Sequence, residues 1–317
     1  MVARARAPGK LVLAGEYAVL EGAPALVLAV DRYVTARALA PGVAAPEPPR
    51  EVASALALAV REGLLRAAPA LSFDTSALYG EGGRKLGLGS SAAACVAGLL
   101  CALLAEGVPV DWDELARIAR QGHREAQGGG SGVDVLASAY GGLLRIQLHS
   151  SPARDPRVAK KVLPAALPWA VLWTGESART SELLAKVHGL RARDPGDYTA
   201  CMNAIEEATE ALGEALAAKD FARATEAVRA HAAHLDRLGR GSEANIVTEG
   251  VRRLGVEIEP FGAAVKPSGA GGGDVAWLVA QDARALGRAL RAAEDRGFSR
   301  VPLGVSEEGA HALPTED

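Results

Sequence analysis

The stretch Lys85-Leu-Gly-Leu-Gly-Ser-Ser-Ala-Ala-Ala-Cys95 carries a glycine-rich turn straight into an apolar run that continues to Ala105. Gly87 and Gly89 let the backbone turn tightly and approach a ligand, because neither has a Cβ in the way. Ser90 or Ser91 is then the expected N-cap of a buried helix. Unpaired amides and the positive end of a helix dipole would meet at the loop, an arrangement suited to phosphate. The spacing matches neither a P-loop nor a dinucleotide fingerprint. Taken alone, the stretch is equally well read as a tight turn ahead of a core helix.

Composition narrows the function classes. The 317 residues allow two domains, and a hydrophobic fraction of 49% gives each a core. A net charge of -3 with scattered basic residues argues against nucleic-acid binding. Of 35 basic residues only seven are lysines, and Lys10, Lys85 and Lys266 all flank glycine-rich stretches. Cys95, Cys101 and Cys201 lack metal-ligand spacing and read as reduced, buried thiols. The first ten residues show no apolar leader, and the 92–105 run is shorter than the ~20 residues a membrane span needs. A cytoplasmic protein without nucleic-acid or membrane partners is expected, with monomer and homodimer both open.

The chain order predicts a strand, a turn at Ala7-Pro-Gly9 and a strand whose apolar run is 10–14, then an apolar run over 24–30 that ends at Asp31-Arg32-Tyr33 and resumes at Val34-Thr35. A proline-rich loop at 41–50 precedes a helix over 51–67. Beyond the apolar helix, Asp111-Trp-Asp-Glu114 matches a capping box, and the helix it opens ends at Gly128-Gly-Gly130. A short helix over 133–140 places Asp134 in its first turn, and a strand follows at 143–148. The composition of 149–161 marks a boundary, giving expected domains of 1–160 and 161–317. The second half reads as a strand at 169–173, four helices, strands at 263–265 and 275–279, a helix capped by Asp282 and a closing strand at 300–305. That mixture is α+β.

Three segments carry chemistry together: Ala7-Pro-Gly-Lys10, Gly87-Leu-Gly-Ser-Ser91 and Pro267-Ser-Gly-Ala-Gly-Gly-Gly-Asp274. In this order, each beside a lysine, they resemble the three motifs of the GHMP small-molecule kinases. Ala14-Gly-Glu-Tyr17, Lys85, and His123-Arg-Glu-Ala-Gln-Gly128 leading to Ser131-Gly-Val-Asp134 resemble that family's phosphomevalonate kinase branch. The resemblance implies a ribosomal protein S5 domain 2-like N-terminal domain and a ferredoxin-like α+β C-terminal domain. It implies phosphoryl transfer from ATP, with Mg²⁺, to mevalonate 5-phosphate.

By the same resemblance, Gly87, Leu88, Gly89, Ser90, Ser91 and Ala92 would bind ATP, with Ser91 also a candidate Mg²⁺ ligand. Lys10, Lys85 and Asp134 would act at the reacting phosphoryl group. Glu16, Tyr17, Ser131, Gly132, Ser177, Lys266, Ser268, Gly269, Ala270, Gly271 and Gly272 would serve the acceptor. His123 stands where mevalonate kinases carry a metal-binding glutamate, and it reads as a satisfied, partly buried histidine. Two phosphates brought together repel, so a second lysine suits a phosphate acceptor. The competing readings are mevalonate kinase or another small-molecule kinase of the family and, in a different class, a non-catalytic metabolite-binding regulator.

Overall fold

A computed structural model describes residues 2–40, 42–44, 46–149, 155–177 and 180–314. In chain order the elements are β1 (Arg4–Ala14), β2 (Pro24–Ala38), α1 (Arg50–Arg61), β3 (Leu71–Asp74), α2 (Ser90–Glu106), α3 (Trp112–Gln127), α4 (Val133–Tyr140) and β4 (Leu143–Gln147). They continue as β5 (Arg157–Lys161), β6 (Trp169–Trp173), α5 (Thr180–Arg193), α6 (Pro195–Ala218), α7 (Phe221–Ser242) and α8 (Glu249–Ile258). The last are β7 (Ala263–Pro267), β8 (Val275–Ala280), α9 (Ala283–Asp295), β9 (Ser299–Val301) and β10 (His311–Ala312).

Two compact units result, and a single cut at 160/161 does not separate them. One holds Met1–Leu11, Val27–Leu144 and Gly304–Asp317; the other holds Val12–Leu26 and Arg145–Leu303. The reason is strand length: β1 and β2 each begin in one unit and end in the other. Composition shifts reveal linkers, but they are blind to a strand shared in this way. Within the expected break at 149–161, residues 157–161 form β5, while residues 150–154 lie outside the described residues.

In the first unit, the strand order is β10, β1, β2, β4, with β3 paired antiparallel to β2. The expected turn at residues 7–9 is absent, since β1 is continuous through Pro8 and Gly9. Pro8 falls beyond the two pairs that β10 makes, Ala5 with Ala312 and Arg6 with His311, where a missing N–H is tolerated. Gly9 is there for closeness: a Cβ on it would lie 2.7 Å from both Leu78 Cδ2 and the Leu88 carbonyl oxygen. Helix α2 is buried from Ala92 to Leu103 and forms the centre of the unit. Gly98 lets it approach Val52 and Phe73, and Gly122 of α3 sits against the Ala55 backbone of α1. Asp111 caps α3 by accepting from the amides of Asp113 and Glu114, as its sequence predicts.

In the second unit, the sheet order is β7, β8, β6, β9, with every pairing antiparallel. Numbered within the unit this is 2-3-1-4, the order of a ferredoxin-like sheet read from its other edge. Helices α5 to α8 fill the first crossover, and α9, capped by Asp282, fills the second. Leu172, Leu278, Ile205, Leu235 and Leu254 are fully or almost fully buried in its core. The last of the four expected helices, α8, starts at Glu249, because the Thr248 hydroxyl accepts from the Val251 amide and caps it there. The three cysteines are free and buried. Among the described residues, no helix is long and apolar enough to cross a membrane.

Candidate active site

The first unit assembles Lys10, the 87–92 loop and Asp134. Neither serine caps α2. Its N-cap is Gly89, in the left-handed region at φ 78°, and no side chain hydrogen-bonds to the helix start. The reason is visible in the loop. Gly87 also has a positive φ of 71°, so the backbone reverses on glycines and arrives at the helix without a side-chain oxygen in cap position. Ser90, Ser91 and Ala92 are thus the first three helical residues, and their amides have no intrahelical acceptor. Leu88 contributes only backbone, because its side chain is buried and its carbonyl accepts from the Lys10 amide at 2.8 Å.

Lys10 is laid along this loop. Its Nζ donates to the Gly87 carbonyl at 3.0 Å. A Cβ on Gly89 would lie 3.0 Å from Lys10 Cγ and 3.8 Å from Asp134 Cβ, so the cation and the carboxylate flank Gly89. Asp134 is half-buried in the first turn of α4, with Oδ1 accepting from the Val135 amide. Gly132, at φ 69°, is the α4 N-cap and packs on Arg120, and Ser131 precedes it. Lys85 stands apart from this arrangement. It is exposed, bridged through its backbone to Tyr79, and its side chain makes no hydrogen bond or ion pair among the described residues.

The Ser91 hydroxyl lies 3.2 Å from His123 Nε2, and the Gln127 amide nitrogen is 3.2 Å from the same ring nitrogen. His123 is buried, as its reading as a satisfied histidine anticipates, but its partner is Ser91 in the first turn of α2. The spacing of His123 and Gln127, four apart on α3, could have signalled a shared face. Nothing in the sequence points that face at Ser91.

The second unit assembles the turn at 15–17 and the loop at 267–274. Lys266 and Glu16, both read as acceptor ligands, are spent on each other in a fully buried ion pair. Lys266 Nζ also donates to the Pro267 carbonyl at 2.7 Å, and Glu16 Oε1 also accepts from the Gly269 amide at 3.3 Å. His231, which the sequence does not single out, accepts the Gly15 amide through Nε2 at 3.0 Å. Burial and the nearby Lys266 charge hold its pKa well below the usual imidazole value, so the ring is neutral. Burial pushes the Glu16 carboxyl up, against the opposing pull of Lys266.

Tyr17 is strained. At φ 63° and ψ -54° it is the centre of a γ-turn closed by the Ala18 amide donating to the Glu16 carbonyl at 2.7 Å. That turn delivers the phenol to the loop, where its hydroxyl donates to the Ala270 carbonyl at 2.5 Å. Burial raises the phenol pKa, which keeps the donor protonated. The Ser268 hydroxyl accepts from the Val12 amide at 2.9 Å.

The rest of the loop is backbone against backbone. A Cβ on Gly271 would lie 2.2 Å from the Ile246 carbonyl oxygen, and the Gly272 amide donates to that same oxygen at 2.8 Å. A Cβ on Gly273 would meet Glu176 and Ser177, which brings exposed Ser177 beside the loop.

Comparison with known proteins agrees with this architecture. Residues 53–142 match the GHMP kinases N terminal domain. Phosphomevalonate kinase of a Streptomyces species is 29% identical over 96% of this chain and 97% of its own. The Lin0012 protein of Listeria innocua superposes with a TM-score of 0.87 at 23% identity, covering 99% of this chain and 100% of its own. Streptococcus pneumoniae phosphomevalonate kinase, in complex with phosphomevalonate and AMPPNP, gives a TM-score of 0.78 at 23% identity, covering 95% of this chain and 99% of its own. With the three glycine-bearing segments placed as described and the ferredoxin-like sheet in the second unit, the chain is similar to GHMP kinases along nearly its whole length, and its residues 53–142 match the N-terminal domain of that family.

Proposed function

We propose that this chain is a phosphomevalonate kinase, transferring the ATP γ-phosphoryl group to mevalonate 5-phosphate to give mevalonate 5-diphosphate and ADP. Its main support is the likeness along nearly its whole length to a phosphomevalonate kinase. The uncapped α2 terminus fits the donor: the amides of Ser90, Ser91 and Ala92, with the helix dipole behind them, bind ATP phosphates. Lys10, held to the loop by Gly87, balances charge on the transferring group, and Asp134 keeps the lysine oriented across Gly89.

Phosphoryl transfer depends on positioning and charge neutralisation. The acceptor phosphate has a second pKa of about 6 and is already largely a dianion at neutral pH, so no general base is required. Asp134 accordingly acts through Lys10 and takes no proton. Lys85, free to move on its exposed loop, neutralises the incoming phosphate. In the second unit, the 268–272 loop and Ser177 serve the acceptor, while Glu16, Tyr17 and Lys266 position that loop from within.

The donor set fits Mg²⁺. No group of three acidic, histidine or cysteine side chains able to hold a metal occurs among the described residues, and Mg²⁺ takes most of its ligands from phosphates and water. The Ser91 hydroxyl is the side chain that would hold it. When bound, the ion supplies charge neutralisation on the β- and γ-phosphates.

The test is ADP release measured with mevalonate 5-phosphate and with mevalonate as acceptors. Turnover with the phosphorylated acceptor alone is expected. Turnover with mevalonate alone overturns the assignment, and release with neither favours a non-catalytic binder.

A further inference from the structure

We propose that His123 is a positioning residue for the Ser91 hydroxyl: it takes the hydroxyl proton in a hydrogen bond and so turns a lone pair of the oxygen toward a hard cation. The inference rests on the reading of Ser91 as the Mg²⁺-holding side chain and adds the device that makes a serine suited to it. Four side chains of the first unit form the chain of contacts. Glu51 Oε1 lies 3.4 Å from the Gln127 amide nitrogen, which fixes the amide with its NH₂ toward the carboxylate. The reverse orientation would set two oxygens against each other.

The same NH₂ faces His123 Nε2 at 3.2 Å. A donor on that side requires the ring nitrogen to present its lone pair, which places the imidazole proton on Nδ1. The Ser91 hydroxyl, 3.2 Å from Nε2, then meets an acceptor and donates to it. The Gln127 NH₂ is also 3.5 Å from the serine oxygen, which accepts from it on one lone pair and so points its own proton away from the amide.

A neutral hydroxyl binds a cation through its lone pairs. With its proton committed to His123, the lone pair that does not face the Gln127 NH₂ stays available, and the side chain is held in one rotamer. His123 is buried, so this orientation is not averaged away by water. Outer partners of this kind change metal affinity by about 10–100-fold when removed.

The experiment is calorimetric binding of AMPPNP to the full chain, with excess Mg²⁺ and with excess EDTA. For the wild type, Mg²⁺ should tighten binding. His123→Phe, which keeps bulk and removes the acceptor, should lose about tenfold of that tightening while leaving the metal-free affinity within about twofold. His123→Gln, which keeps an acceptor oxygen, should restore part of it. In a Ser91→Ala background, His123→Phe should have no further effect.

Should His123→Phe unfold the buried site, exposed Gln127→Leu gives the same test with an expected loss of about threefold. Equal loss with and without Mg²⁺, or multiplying effects of the Ser91 and His123 substitutions, overturns the proposal. A wild type that binds AMPPNP equally well without Mg²⁺ overturns the Mg²⁺ reading itself, a separate result.

Discussion

Gly87 and Gly89 in the 87–92 loop and Gly271 to Gly273 in the 267–274 loop all take up positive φ, yet the two segments use it in opposite ways. In the first, glycine supplies the N-cap, no side chain closes the helix, and the following amides have no intrahelical acceptor. In the second, glycine allows neighbouring backbone to grip the loop: Gly271 and Gly272 against Ile246, Gly273 against Glu176. Buried Glu16, Lys266 and Tyr17 hold it from beneath. One loop leaves its amides without an acceptor in the helix, the other is gripped to keep its shape. Substitutions beneath the second should therefore be read in stability, and substitutions around the first in turnover.

The largest effect is expected from breaking the buried pair. Glu16→Ala leaves the Lys266 charge enclosed without its carboxylate and should cost about 3–5 kcal/mol, measured by denaturant unfolding. Replacing both partners, Glu16→Leu with Lys266→Met, should recover most of that loss. If the double variant is as unstable as the single one, the pair is not what holds the second loop.

Lys85→Met probes the other side of the comparison. Its side chain is exposed and makes no hydrogen bond or ion pair among the described residues, so stability should not change. Turnover with mevalonate 5-phosphate should fall about a hundredfold, or about 3 kcal/mol in the barrier. A variant with normal kcat and a raised KM for ATP alone would move Lys85 from the acceptor to the nucleotide.

The smallest effect is a slope. His231 is neutral in the fold with its pKa pushed down, whereas the unfolded chain takes up that proton as pH falls through the ordinary value of 6.5. Below that pH the unfolded state binds more protons, so stability declines as pH falls, by up to about 1.4 kcal/mol per pH unit. The raised Glu16 pKa works in the opposite direction, and it does so in wild type and variant alike. Thermal unfolding between pH 7 and 5 should therefore show a shallower acid decline for His231→Asn than for wild type. Equal slopes would mean that the ring is charged in the fold.

The sequence by itself placed the glycine turn at 87–89, the buried α2, the Asp111 and Asp282 caps and Asp134 in a first helical turn. These depend on neighbours within a few residues: glycine's access to positive φ, side-chain oxygens three residues from an amide, and apolar periodicity. It also suggested the family, through three short segments in order. Only the tertiary structure decided the rest. A strand through Pro8 and Gly9 depends on Leu78 and Leu88 pressing on the glycine, contacts some 70 residues away in the chain.

The roles of Glu16 and Lys266 depend on the same kind of distant pairing. In the sequence they are a carboxylate and a cation beside glycines, equally fit to bind a ligand. Their burial against each other, 250 positions apart, turns them into supports. His123 lies in a segment the sequence singles out and His231 does not, yet for both the partner met in the fold decides the work. His123 faces the Ser91 hydroxyl and His231 faces the Gly15 amide, because long-range packing sets which polar groups share a buried pocket.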